Sequence, residues 1–476
     1  MRVLAAASEA FPLVKTGGLA DVAGALPAAL AAEGIAVTTL LPGYPAVMRA
    51  VSGAAEALVL PDRFGPARLL RARAGGLDVL VLDAPRHFDR PGNPYNGPDG
   101  EPWEDNGLRF AALGFAAAEA ALALGFDALH AHDWQAGLAP AYLRLGAPRR
   151  VPSVFTIHNL AFQGQFPPSL LPRLGLPPGA WSLEGLEYFG SVGFLKSGLW
   201  YADRITTVSP TYAEEIRTPQ GGMGLDGLLR GRAGEVSGIL NGLDVAAWDP
   251  ATDPALAARF SAADRAPRAA NRTALQARFG LAEDPAAPLF AFVGRLAWQK
   301  GVDLILEALP ALLDAGGQLA LLGTGEAALE ARCRAAAAAH PGRVGAVIGF
   351  DEGLARLAYG GADCVLVPSR FEPCGLAQLC ALRYGAPPLV ARTGGLADTV
   401  IDANEMALAA GCATGLQSAP GDAAMLAAAI QRTAALVRDR AAWARIQANA
   451  LACDVSWRRS AARYAALFRE IAAPHG

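Results

Sequence analysis

The hexapeptide Thr-Gly-Gly-Leu-Ala-Asp occurs twice, at Thr16–Asp21 and at Thr393–Asp398, each time directly after a cation, Lys15 or Arg392. Each copy lies between a short apolar run and a helix-like stretch. A Gly-Gly turn that opens a helix brings backbone N–H groups and the positive end of the helix dipole to one point, which suits an anion. With one copy near the start of the chain and the other deep in its second half, the pattern predicts two α/β domains facing one cleft. Two ordinary loop-to-helix turns would explain either copy alone. That plainer reading is weaker for the first copy than for the second, given the cations and motifs nearby.

A chain of 476 residues exceeds one ordinary core and fits two domains. Arg2–Ala6 is a short apolar run, Leu19–Glu33 reads as a helix stopped by Gly34, and Ile35–Leu41 is β-branched and apolar. That is a β-loop-α-β unit, the opening of a parallel sheet. Asp127–His130 and Val154–Ile157 are further strands, with His132-Asp133-Trp134 and His158-Asn159 directly after them. The pattern restarts after Pro288: strand Leu289–Val293, helix Val302–Leu313, then strands Gln318–Leu322, Val344–Ile348, Cys364–Val367 and Pro388–Ala391. The Ala tract Ala335–Ala339 reads as helix. Trp248–Pro267 has weak periodicity, which places a hinge near Asp244. The expected fold is therefore α/β, with domains at 1–243 and 244–455. The amphipathic helix Ser456–Ile471, in the segment 456–476, crosses back to the first domain.

Composition excludes several classes. The 41 basic and 44 acidic side chains nearly balance, which argues against a nucleic-acid partner. All six cysteines lie in the second half, without a C-x-x-C pair or zinc spacing, which fits a reducing compartment. The N-terminus reads as a strand and a loop rather than a signal peptide. Phe110–Leu124 is too short to span a bilayer and reads as a buried helix. The expectation is a cytoplasmic protein with no membrane partner.

Four clusters carry chemistry. Lys15 to Leu19 can place a cation and backbone donors on a phosphate or sugar oxygen; a surface Lys in a turn is the plain alternative. Arg295 follows a strand and Lys300 stands near the next helix, so two cations and a helix start can neutralise a diphosphate without a metal ion. Ser369 to Leu376 follows the strand Cys364–Val367. There Glu372 can accept hydrogen bonds from sugar hydroxyls, while Gly375 and Leu376 offer N–H groups to phosphate. By position alone Glu372 can equally be an N-cap. Cys374 invites a nucleophile reading, but no paired base is visible, and a small packing residue is preferred. The fourth cluster is His130, His132, Asp133, Trp134, His158 and Asn159. The His-x-His pair suggests metal; against it, adjacent strand residues point to opposite faces and spacing fixes no third ligand. His130 reads as a buried structural histidine, His158 as a site candidate.

Together, Lys15–Leu19, His130–Trp134, His158-Asn159, Asn241-Gly242, Arg295, Lys300 and Arg370–Leu376 resemble bacterial glycogen synthases and plant starch synthases over nearly the whole chain. The resemblance implies the GT-B architecture, two Rossmann-like domains with the active site between them. It implies glucose transfer from ADP-glucose to the non-reducing end of an α-1,4-glucan with retention of configuration, and no cofactor or metal. Carried over by position, Arg295 and Lys300 hold the donor diphosphate, and Glu372 binds the transferred glucose and stabilises charge at its anomeric carbon. Cys374, Gly375 and Leu376 shape the sugar and phosphate pocket, and Lys15 and Gly18 reach the donor. His158 and Asn241 contact the glucose, Asn159 lies in the same binding region, and Asp21 serves the nucleotide-sugar side. Tyr95, Asp133 and Trp134 lie toward the acceptor. Ala377 replaces a common Thr, Gln135 a common His, and Met223-Gly224 lacks a Tyr often present, which touches donor affinity rather than the reaction. Sucrose-linked relatives carry a second Glu eight positions after the first; here that residue is Cys380.

Two rivals belong to other classes. A non-catalytic glucan-binding protein would not need the diphosphate cations, and a dehydrogenase would show G-x-G-x-x-G after its first strand, which is missing in both halves. A glucosyltransferase using another nucleotide-glucose remains the closest alternative.

Overall fold

The computed structural model describes residues 1–146 and 150–473. The chain divides into two compact units, Met1–Asn241 with the segment from Trp457 onward, and Gly242–Ser456. The break falls two residues before the sequence-based boundary, and residues 474–476 of the expected crossing segment lie outside the described residues.

The first unit holds β1 (Arg2–Ala6), β2 (Ala36–Pro42), β3 (Ala55–Val59), β4 (Arg68–Ala74), β5 (Leu77–Asp83), β6 (Ala128–His132), β7 (Ser153–Ile157), β8 (Gln165–Phe166), β9 (Glu187–Tyr188), β10 (Ser191–Gly193), β11 (Arg204–Thr207) and β12 (Val236–Gly238). Nine of them form one sheet in the order β12-β11-β7-β6-β1-β2-β5-β4-β3, parallel except at the β5-β4-β3 edge; β8, β10 and β9 form a small antiparallel sheet. The first helix, Gly18–Ala32, ends where Gly34 takes φ 76°, a conformation that costs glycine little. The helix Arg458–Ala472 belongs to this unit. Its Trp457, Tyr464 and Phe468 side pack with Val3, Leu26, Ala128 and Val154, covering the face that β1, β6 and β7 present.

The second unit holds β13 (Leu289–Val293), β14 (Gln318–Gly323), β15 (Val344–Ile348), β16 (Cys364–Val367), β17 (Pro388–Ala391) and β18 (Leu416–Ser418), all parallel, in the order β15-β14-β13-β16-β17-β18. Neighbouring residues of one strand feed two different cores. Leu289, Ala291, Val365 and Val367 join one cluster, and Phe290, Phe292, Cys364 and Leu366 the other. Both faces are covered, which is why these strands read as unbroken apolar runs. The order is that of a Rossmann sheet, reversing between β13 and β16.

One expectation needs correction. The helix expected over Val302–Leu313 is two helices, Val302–Glu307 and Leu309–Asp314. Pro310 has no N–H to continue the ladder, so the first helix stops ahead of it. The weakly periodic Trp248–Pro267 segment is strapped to its unit. The buried Asp253 carboxylate accepts from Ala255 N, Arg356 and the Tyr384 hydroxyl, and Arg356 lies 4.0 Å from the Trp248 ring centre. Among the described residues no helix is long and apolar enough to cross a membrane.

Phe468 is fully buried and packs beside His130 at 5.4 Å between ring centres. Phe468→Ala should cost about 3–5 kcal/mol. Denaturant unfolding checks this; a loss under about 1 kcal/mol would mean that helix Arg458–Ala472 is not held by this core.

Candidate active site

In the second unit, the order reversal sets the loops after β13 and β16 next to each other at the C-terminal edge of the sheet. The first loop ends in the turn Trp298–Lys300, closed by Gly301 at φ 69°. A Cβ at Gly301 would stand 2.2 Å from the Pro368 carbonyl oxygen, so only glycine lets the two loops meet. Lys300 Nζ then lies 2.6 Å from Glu372 Oε2, and Ser369 Oγ donates to the same oxygen at 2.8 Å. Glu372 is 6% exposed. Gln299 laces the loops further, its carbonyl accepting from Arg370 N at 2.9 Å and its amide donating to Phe371 O at 3.0 Å. Arg370 forks onto Asp303 at 2.8 and 2.7 Å. Arg295 is exposed and donates to Gln299 Oε1 at 3.3 Å. The structure thus gathers Arg295, Lys300 and Glu372 on adjoining loops.

The N-cap reading of Glu372 is wrong. The next helix, Ala377–Arg383, has Leu376 at its cap, and the Glu372 carboxylate is bonded to Lys300 and Ser369 instead. Cys374 is buried among backbone, and Gly375 takes φ 81°. Cys380 is buried in the core, so no second carboxylate stands eight positions on.

The two hexapeptides do different work. In the second copy a Cβ at Gly394 would lie 2.0 Å from Glu372 O, and one at Gly395 would lie 2.4 Å from Cys374 O. Gly395 N donates to the carbonyls of Glu372 and Pro373, both at 3.1 Å. This copy is a backbone buttress under the Glu372 loop, not the second anion device expected from its sequence. In the first copy a Cβ at Gly17 or Gly18 would meet nothing within 4 Å. Neither takes a positive φ, so protein packing gives no reason for glycine there.

In the first unit, β1 sits between β2 and β6, and the loops after β1, β6 and β7 carry the candidates. Lys15 pairs with Asp21 at 2.6 Å, both partly exposed. Asp133 holds φ 55°, and its buried carboxylate accepts from His158 N at 2.7 Å and from Asn159 N. Burial pushes its pKa up to about 7 against the pull of those N–H groups. Trp134 packs against Phe110 at 5.0 Å and Phe166 at 5.7 Å. Asn159 Oδ1 accepts from Ala161 N at 3.0 Å. Asn241 Oδ1 is buried with no hydrogen-bond partner, an acceptor awaiting a donor. The Tyr95 hydroxyl donates to the buried Glu9 at 2.5 Å. Glu9 escaped the sequence reading; its only signal was an acidic residue at the end of an apolar strand.

The face argument for the histidines also needs correction. β6 runs on through His132, so His130 and His132 are two apart and share a face, with ring centres 3.9 Å apart. A chain of contacts follows: His130 Nε2 to Thr156 Oγ1 at 2.6 Å, and His132 Nδ1 to His158 Nε2 at 2.9 Å. Burial lowers all three imidazoles, His132 to about 3, so they are neutral at physiological pH. The arrangement fixes the ring of His158 through His132. It offers hydrogen bonds rather than a second charge.

Two outcomes follow from this geometry. Gly395→Ala should destabilise by at least about 1–3 kcal/mol through backbone overlap, and Gly18→Ala should stay within about 0.5 kcal/mol. Comparable losses in thermal unfolding would erase the distinction between the two copies. Because the folded pKa of Asp133 is raised from 3.8 to about 7, the native state binds the extra proton between those values. Wild-type stability should therefore fall relative to Asp133→Asn as pH rises from about 4 to about 7, then level off. A difference independent of pH would place the Asp133 titration elsewhere.

Residues 2–231 match the starch synthase catalytic domain model, and residues 275–449 match the glycosyl transferases group 1 model. The glycogen synthase of Rhodopseudomonas palustris strain BisB18 is 59% identical over 475 residues, covering 99% of this chain and 97% of that one. The glycogen synthase of Acidiphilium cryptum strain JF-5 is 60% identical over 476 residues, covering 99% of each. The catalytic domain of starch synthase IV from Arabidopsis thaliana, bound to ADP and acarbose, aligns with a TM-score of 0.87 at 31% identity over 99% of each chain. Sucrose-phosphate synthase from Thermosynechococcus elongatus shares the fold, with a TM-score of 0.59 at 21% identity over 98% of each. The chain belongs to the glycogen synthase and starch synthase family, glycosyltransferases of GT-B architecture.

Proposed function

We propose that this chain transfers glucose from ADP-glucose to the non-reducing end of an α-1,4-glucan and retains the α configuration. The observation that carries the reading is the pair Lys300 Nζ–Glu372 Oε2 at 2.6 Å, on two loops locked at the order reversal of a Rossmann sheet. Breaking a glycosyl phosphate bond leaves positive charge at the anomeric carbon and negative charge on the departing diphosphate. This ion pair sets one group of each required sign within a bond length or two of the other. The relative solved with ADP supports adenine as the base, and the glycogen synthase relatives support the glucan acceptor.

In this reading Arg295 and Lys300 take the diphosphate, with N–H groups of Gly375 and Leu376 beside them, and Cys374 closes the sugar pocket. Glu372 faces the glucose hydroxyls and steadies the oxocarbenium-like centre. Lys15 and Gly18 serve the donor, with Asp21 holding Lys15 at 2.6 Å. Asn241, Asn159 and His158 meet the glucose, and Asp133, Trp134 and Tyr95 serve the acceptor side. The bond from C1 to the β-phosphate oxygen breaks as the acceptor O4 bonds to C1 on the same face. The O4 proton passes to the departing phosphate oxygen. A diphosphate held by two cations needs no separate acid and no metal ion.

The test incubates the enzyme and glycogen with labelled ADP-glucose and, separately, UDP-glucose, and measures label in polymer. ADP-glucose should be used strongly, and turnover should survive exhaustive chelation. Preference for UDP-glucose would overturn the assigned base, and no label from either would overturn the reaction. Lys300→Ala and Arg295→Ala should each lower kcat by about 10²-fold or more with the fold intact. Turnover like wild type in either would remove that cation from the leaving-group role.

A further inference from the structure

Glu9 stands directly after the apolar run of β1, 3% exposed, and its carboxylate is fully engaged. Oε1 accepts from Thr16 Oγ1 at 2.6 Å and from the Tyr95 hydroxyl at 2.5 Å. Oε2 accepts from the peptide N–H groups of Thr16 and of Gly17, the latter at 3.3 Å. These four donors are neutral, and three of them belong to the loop that carries Lys15 and Gly18. Beside these bonds Lys15 pairs with Asp21 at 2.6 Å and lies 5.5 Å from the Phe11 ring centre, while the positions of Gly17 and Gly18 face open space.

The hydroxyl that meets Glu9 is itself held. Burial and the Glu9 charge keep the Tyr95 phenol protonated, and Ser8 Oγ lies 2.9 Å from it. The Tyr95 carbonyl accepts from Asn106 Nδ2 at 2.9 Å. Asn106 Oδ1 accepts from the buried Arg109 at 2.6 Å, and Arg109 also donates to the carbonyls of His87 at 2.8 Å and Pro94 at 3.1 Å. A line of buried polar groups thus runs from Arg109 to the open glycine loop.

A buried carboxylate is an expensive way to hold a loop, and its charge opposes an anionic donor nearby. Only a carboxylate, though, offers two oxygens that accept from two peptide N–H groups and two hydroxyls at once. Those N–H groups stand at the threshold of helix Gly18–Ala32, where a free loop would sample many conformations before binding.

We propose that Glu9 is a positioning residue, one that presets the Lys15-Thr16-Gly17-Gly18 loop for the nucleotide-sugar donor while the Arg109–Asn106–Tyr95 chain presets Glu9. The inference rests on the proposed function only in naming what the loop receives. Glu9 touches no reacting atom; its effect passes through Lys15 and Gly18.

Hydrogen exchange of intact wild type, Glu9→Ala and Glu9→Gln tests the positioning without reference to turnover. In Glu9→Ala the amides of Thr16 and Gly17 should exchange about tenfold faster or more, with the later turns of helix Gly18–Ala32 unchanged. Glu9→Gln should recover most of the protection. Its carbonyl can serve both N–H groups, and its NH2 can face hydroxyls that turn to accept. Unchanged exchange at both amides in Glu9→Ala would overturn the proposal. The kinetic arm uses a double-mutant cycle. Glu9→Ala should raise the donor KM about tenfold, leave the acceptor KM near wild type, and add little to Lys15→Ala. Full additivity would mean that Glu9 supports the fold rather than the loop. A wild type that transfers no glucose counts against the proposed function, and the two amides still decide on Glu9.

Discussion

The position of every candidate group follows from where each parallel sheet changes direction. At β13 the chain builds β14 and β15 on one side, then crosses to build β16, β17 and β18 on the other. Right-handed crossovers then carry the connections over opposite faces, and the loops after β13 and β16 come side by side at the C-terminal edge of the sheet. Lys300 and Glu372 are 72 residues apart in the chain and 2.6 Å apart in space for that reason. Gly301 against Pro368 and Gly394 against Glu372 then fix the approach to tenths of an ångström, as backbone meets backbone with no side chain between. Buried sheet strands make a rigid base for the two loops.

One sequence, Thr-Gly-Gly-Leu-Ala-Asp, meets two environments and acquires two meanings. After β17, the main chain of Glu372–Cys374 fills the space a Cβ would need, so the glycines serve internal packing. After β1 that space is open, and the polar groups before the helix are gathered by Glu9. The six residues are identical in the two copies, so the difference comes from their flanks and their tertiary neighbours. The backbone differs as well: Gly17 is extended at φ -152° ahead of helix Gly18–Ala32, whereas its counterpart Gly394 takes φ 44° and opens the short helix Gly394–Thr399.

Much of this fold was legible because its strands are doubly buried. Leu289–Val293, Val344–Ile348, Cys364–Val367 and Pro388–Ala391 are continuous apolar runs bounded by turn residues, and the observed strands have those limits. What failed needed either a local count or a distant neighbour. Pro310 was in plain view and should have divided the helix expected over Val302–Leu313. The His130 and His132 faces follow from the strand period of two once β6 is allowed to run on. Glu372 was placed on the right loop, but its partner Lys300 comes from another crossover, so an N-cap looked equally good. Glu9 gave almost no signal, since its meaning rests on Tyr95, 86 residues away.

Three buried acids near the candidate groups show how one physical problem is met in three ways. Glu372 has a cation, Lys300, at ion-pair distance, so its charge is balanced by a group the reading also assigns to chemistry. Glu9 has four neutral donors, which disperse its charge and tie a loop to it. Asp133 has peptide N–H groups that do not offset its burial, and its pKa is driven up to about 7. The order follows the freedom each group needs. A carboxylate balanced by one flexible Lys side chain, as Glu372 is by Lys300, can be released from it by a rotation of that stem. A carboxylate meant to stay fixed is best saturated by several short bonds, as Glu9 is. A carboxylate poised near neutral pH can gain or lose a proton with little driving force, and Asp133 is placed beside the His158 backbone where that proton would alter the hydrogen bonding of the strand end.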